Sequence, residues 1–217
     1  MGISVKQFKE ILKEQTQKIC SDEGKDWNNE VHRGYAFQLW NAEIISNFET
    51  NFETEFEDAV LGSKDLKADI VFEDTVNKQL LICQCKFTGL SKLKPMDEDE
   101  IISFFDRHQY YMNRSWIEAH GSQDAIFLLA DYSEKMKEGY KVIFRFISSG
   151  ESSNRILEML NSKNEHYNNS EFNISCELYD FSGLKEYYVR SQTTKDSIPE
   201  SVKIPIREAT CSPPSIL

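Results

Sequence analysis

Cysteine is sparse and irregular in this chain: five residues, Cys20, Cys83, Cys85, Cys176 and Cys211, odd in number and without a C-x-x-C pair. That argues against a disulfide framework and a zinc site, and it leaves Cys83 and Cys85 as core thiols. No apolar run approaches the roughly 20 residues that a membrane span requires. The amino end, residues 1–18, has the spacing of an amphipathic helix rather than a secretory signal, so a cytoplasmic protein without membrane contact is expected. In that setting the sequons at Asn113, Asn168 and Asn173 are chance matches. Internal repeats and a glycine-rich phosphate loop are also missing. Basic residues are the minority, 25 Lys and Arg against 36 Asp and Glu, for a net charge of −11. A protein that coats nucleic acid without regard to sequence needs the opposite balance, because phosphate neutralisation supplies most of that affinity. No basic patch is visible along the chain, and from Lys86 to Arg114 acids and bases are balanced.

What is present is enough for one folded domain. The 217 residues are 40% hydrophobic and 12% aromatic, which supports a sizeable core. Four of the five prolines fall from Pro199 onward, so residues 1–192 are read as the domain and 193–217 as a linker or extension.

The most informative stretch runs from Asp65 to Lys86. Two β-rich runs, Ala68 to Phe72 and Leu80 to Phe87, flank a polar turn at Asp74 to Asn77, which is the pattern of a β-hairpin. Antiparallel pairing then brings Asp69 near Gln84 and Lys86, and those two share a face because they are two residues apart. The second run is apolar on both sides, as in a central strand covered on both faces. A lysine at its end is partly buried and needs a partner. A carboxylate, an amide oxygen and an ammonium at one strand end suit a divalent-cation site with an adjacent water. The alternative for the same trio is a hairpin-end ion pair between Asp69 and Lys86.

Asp, a hairpin and Gln84-Cys85-Lys86 resemble the core of the PD-(D/E)XK nuclease superfamily. The form with Gln in place of the acid is similar to Mrr-like restriction endonucleases and to the nuclease domain of abortive-infection phage-resistance (AIPR) proteins. In that branch Asp-Gly-Gly-Ile-Asp commonly opens the first strand. Here Asp65-Leu66-Lys67-Ala68-Asp69 keeps both acids and loses both glycines. The stretches at residues 144–150 and 176–184 also resemble the later part of AIPR nuclease domains, so the likeness spans roughly residues 35–190. AIPR proteins are usually several times longer, so the chain is expected to be a fragment or a stand-alone relative.

The resemblance implies an α/β fold, a restriction-endonuclease-like mixed sheet with an αβββαβ core flanked by helices. It implies a Mg²⁺-dependent endonuclease, with Mn²⁺ as a substitute, acting on nucleic acid, DNA foremost, in antiviral defence by abortive infection. Asp69, Gln84 and the Cys85 carbonyl would hold the metal, and Lys86 would hold or help deprotonate the attacking water. The superfamily often draws a further acid from the helix before the hairpin, and Glu43 fits that place. The alternative for Glu43 is a solvated carboxylate at the edge of the apolar stripe. The competing function is a catalytically inactive nuclease-fold module that binds protein or nucleic acid. A homodimer and attachment to further domains both stay open.

Periodicity predicts helices over residues 4–20, 35–48, 97–119, 152–161 and 182–190. Strands are expected at 56–60, 125–130, 140–147 and 173–180. The acids of 97–100 suit the amino end of a helix. Glu30, Glu49 and the acids of 53–57 read as solvated, and His108 as a core histidine.

Overall fold

The computed structural model describes residues 2–49, 55–62 and 64–197. Helix α1 (Val5–Asp22) starts at a reciprocal cap in which Ser4 and Gln7 bond each other's backbone, which satisfies two otherwise orphaned donors. Helix α2 (Glu30–Phe48) is capped by the Asn29 side chain. A short turn of helix, α3 (Phe56–Ala59), precedes strands β1 (Ile70–Asp74) and β2 (Gln79–Lys86). Five helices follow: α4 (Glu98–Phe105), α5 (His108–Tyr111), α6 (Arg114–His120), α7 (Gln123–Leu129) and α8 (Tyr132–Lys137). The chain then forms β3 (Lys141–Ser148), α9 (Asn154–Asn168), β4 (Ile174–Tyr179) and α10 (Phe181–Ser197).

The four strands form one mixed sheet in the order β1-β2-β3-β4, with β1 antiparallel to β2 and the other neighbours parallel. The fold is therefore α/β, a mixed sheet flanked by helices. On one face Val71, Leu80, Ile82 and Phe144 pack against Ile101, Phe104 and Tyr111. On the other, Ile70, Phe72, Leu81 and Cys83 pack against Phe8, Phe37, Ile45 and Leu184. β2 is thus interior in the sheet and covered on both faces, as its two-sided apolar pattern requires.

Several expectations are corrected. Residues 56–60 form no strand: α3 occupies most of them, and only Val60 bridges Ile70. Residues 125–130 lie in and just beyond helix α7, which is capped by Ser122, with Ala125 and Leu129 buried and Phe127 exposed. The apolar run Ala-Ile-Phe-Leu-Leu-Ala fits either period over so short a length, and the serine cap decides it. The single helix over 97–119 is three, α4 to α6. Asn113 starts a new one, its side chain accepting from the Trp116 N–H. Helix α10 continues to Ser197, into the stretch read as linker, and residues 198–217 lie outside the described residues. Among the described residues no helix is long and apolar enough to cross a membrane.

Candidate metal centre

The β1–β2 hairpin closes through Asp74, whose carboxylate accepts from the backbone and side chain of Asn77. Those bonds hold the Asp74 carboxyl below its ordinary pKa. The resulting register pairs Ile70 with Cys83. One step further Asp69 stands opposite Gln84, with the Asp69 N–H donating to the Cys83 carbonyl at 2.8 Å. Gln84 and Lys86 lie on the sheet face that carries Leu80 and Ile82, toward α4.

The approach to Asp69 is a turn with an unusual backbone. Leu66 and Lys67 both sit at positive φ, 59° and 70°, and the Ala68 N–H closes the turn on the Asp65 carbonyl at 2.9 Å. Two consecutive residues at positive φ are the mark of a type I′ turn, where glycine is the least strained choice. These are the two positions at which the DGGID segment of the resembled family carries glycine. The backbone thus takes a glycine-type shape with side chains attached, at a cost of about 1–2 kcal/mol per residue. The Asp65 carboxylate accepts from the Lys67 N–H at 2.7 Å, and the Lys67 amine reaches the Ser103 hydroxyl at 2.7 Å, which pin the turn to α4.

Asp69 is 5% exposed. Its Oδ2 accepts from the Cys85 N–H at 2.6 Å and its Oδ1 from the Gln38 side chain at 2.7 Å. Burial pushes its carboxyl up to about 8, with the neighbouring Asp65 carboxylate adding to the rise and the Cys85 N–H opposing it. Like charges side by side at a buried place repel, and a cation there would relieve that repulsion. Gln84 is 4% exposed, and its Oε1 is buried with no hydrogen-bond partner among the described residues. A buried oxygen without a donor is costly. A hard cation satisfies it, because such ions take oxygen ligands. By that test Asp65, Asp69 and Gln84 fit a divalent cation. Among the described residues no group of three or more His, Cys, Asp or Glu side chains is placed to hold a metal; the donors here are two acids and an amide.

Lys86 does not pair with Asp69. Its amine bonds Glu100 Oε1 of α4 at 2.6 Å. Partial burial works to lower the Lys86 pKa, but the Glu100 bond and the charges of Glu100, Asp69 and Asp65 outweigh it and hold the amine above its ordinary value. The hairpin-end ion pair is therefore replaced by one between strand end and helix start. Cys85, whose carbonyl is the anticipated ligand, donates its N–H to Asp69 Oδ2 at 2.6 Å.

Glu43 stands apart. It is exposed and lines a cleft with Lys18, Trp40 and Tyr188, whereas the α2 residue that reaches Asp69 is Gln38, five positions earlier and about 140° around the helix. Hydrophobic spacing placed Glu43 near the stripe but carried no signal for Gln38, a neutral residue at the stripe's edge. Glu100 was legible only as part of a helix-capping run, whose capping side chain is Asp97. Glu49, read as solvated, accepts from the buried Arg145, which also bonds Glu177. His108 is buried against Tyr132 Oη, as a core histidine should be.

The carboxyl end of β2 is fixed from the far side. Ser149 N–H donates to the Lys86 carbonyl at 3.1 Å, and the Thr88 N–H to the Ser149 hydroxyl at 2.8 Å. Gly150 closes this loop because a Cβ there would lie 2.7 Å from the Lys94 carbonyl oxygen.

No protein-family model matches the chain, and neither does any curated protein or solved structure.

Proposed function

We propose that this chain is a metal-dependent nuclease domain that hydrolyses nucleic-acid phosphodiester bonds, DNA foremost, in the manner of the Gln-x-Lys branch of the PD-(D/E)XK superfamily and in the service of phage defence. The observation that carries the reading is the unsatisfied, buried oxygen of Gln84 on the strand opposite Asp69, with Asp65 beside it. Mg²⁺ or Mn²⁺ bound there would polarise the phosphodiester and lower the pKa of a coordinated water. Asp69 and Asp65 would hold the ion, with the Cys85 N–H and Gln38 keeping the Asp69 carboxylate in one orientation. Lys86, held in its charged form, suits stabilising charge on the phosphate or holding the water better than removing a proton from it. Glu100 would keep the amine in place until substrate phosphate competes for it.

Plasmid nicking tests this with Mg²⁺ or Mn²⁺ on wild type, Asp69→Ala and Lys86→Ala. The proposal expects nicking by wild type and a loss of at least a hundredfold in each variant; nicking that survives in both ends the assignment. The second reading, a catalytically inactive binding module, draws on a specific observation: Lys86 is already paired and both Asp69 oxygens already accept hydrogen bonds. It predicts no metal-dependent cleavage from any form.

A further inference from the structure

We infer that a cleft beside the end of β2 binds the phosphate backbone of a single nucleic-acid strand, with a base stacked on Trp27. The cleft, about 530 Å³, is walled on one side by α1 and on the other by Phe87, Gly89 and Leu90. Lys6, Lys9 and Lys13 line it from α1. Their spacing of three and four places them on one side of the helix. Arg33 enters from α2, anchored to the carbonyls of Trp27 and Asn28 at 3.0 Å. Four cations thus face the single carboxylate Glu10 in a protein whose net charge is −11. Among the described residues none of the four has a carboxylate within ion-pair distance. Elsewhere Lys135 is neutralised by Glu73 and Arg145 by Glu49. An unneutralised basic wall in an acidic protein is complementary to a polyanion.

The opposite wall selects which polyanion. Trp27 is half-buried edge-on against Phe87, with ring centroids 5.9 Å apart, and the Arg33 guanidinium lies 5.9 Å from the Trp27 ring. An aromatic ring beside a guanidinium in a basic groove is the arrangement on which unpaired bases stack, and a duplex offers no such free base face. Phe87 directly follows Lys86, so cleft and candidate metal centre flank one strand end. A strand lying in the cleft would pass across the end of β2. The inference rests on the nuclease reading only for the fate of that strand, not for its binding.

The test uses fluorescence anisotropy with a labelled oligothymidine and the matching duplex, in EDTA, on the full chain carrying Asp69→Asn so that cleavage plays no part. The expected result is tighter binding of the single strand. Neutralising two exposed lysines, Lys6→Gln with Lys13→Gln, should weaken it about tenfold and reduce the slope of log affinity against log salt by about 1.4, or 0.7 for each lost phosphate contact. Tryptophan quenching on binding should vanish in Trp27→Phe, which keeps a ring against Phe87. No binding, tighter binding of the duplex, an unchanged salt slope, or quenching that persists in Trp27→Phe would each overturn the inference. Failure of plasmid nicking would sink the nuclease reading alone and leave these outcomes intact.

Discussion

At the scale of single residues, the decisive group is Asp69, a carboxyl moved from its ordinary 3.8 to about 8 by burial and by Asp65. Because the folded value lies above the unfolded one, the folded chain holds the proton more tightly. The stability this lends to the metal-free protein is complete below about pH 4 and is lost as pH rises through 8. Asp69→Asn removes the titration while keeping the shape. In EDTA its stability relative to wild type should grow with pH, by about 1 kcal/mol per unit between pH 5 and 8, or roughly 2–4 °C in Tm per unit. A difference that does not change with pH would contradict the burial of that carboxyl. The turn before it makes a second prediction. Lys67, at φ 70°, should tolerate Gly within about 1 kcal/mol, since relieved strain offsets the lost Ser103 bond. Lys67→Val should cost about 1–3 kcal/mol, because a β-branched residue is strained at that φ. Urea midpoints of the two variants separate these outcomes.

Among the elements, β3 is the hub. Arg145 is buried at 3% exposure in its middle and bonds Glu49 beyond α2 and Glu177 on β4, while the Tyr187 hydroxyl of α10 donates to Glu49 at 2.6 Å. One guanidinium therefore ties two helices to two strands. Removing it leaves two partly buried carboxylates uncompensated, so Arg145→Ala should cost about 3–5 kcal/mol in chemical denaturation. A loss below about 1 kcal/mol would mean that the network is solvent-screened. None of this network was legible beforehand. Arg145 sits in an apolar run with no local partner, and its acids lie far along the chain in either direction. The hairpin was legible because its evidence is local: alternation, a polar turn and an Asp–Asn closure all fall within a few residues. The short apolar run at 125–130 was not, because its length fits both periods and the Ser122 cap lay just outside it.

Across the whole molecule, charge is arranged unevenly. The acids that give the net −11 include those that neutralise Lys86, Lys135 and Arg145, whereas the cleft between α1 and the end of β2 stays basic. That distribution removes the main objection composition raised to a nucleic-acid substrate, since a local field is enough to attract a strand. The sheet places this cleft and the Asp65–Asp69–Gln84 cluster on either side of one strand terminus. The register that does so was readable from the sequence. Gln38, which holds Asp69, and Glu100, which holds Lys86, come from distant elements and were not.

The central claim is that the cluster holds a divalent cation, and calorimetric titration of Mn²⁺ into the protein tests it most directly. The account predicts one saturable site on wild type and none on Asp69→Asn, with both forms folded by circular dichroism. Equal binding by the two, or no saturable binding by wild type, would contradict it.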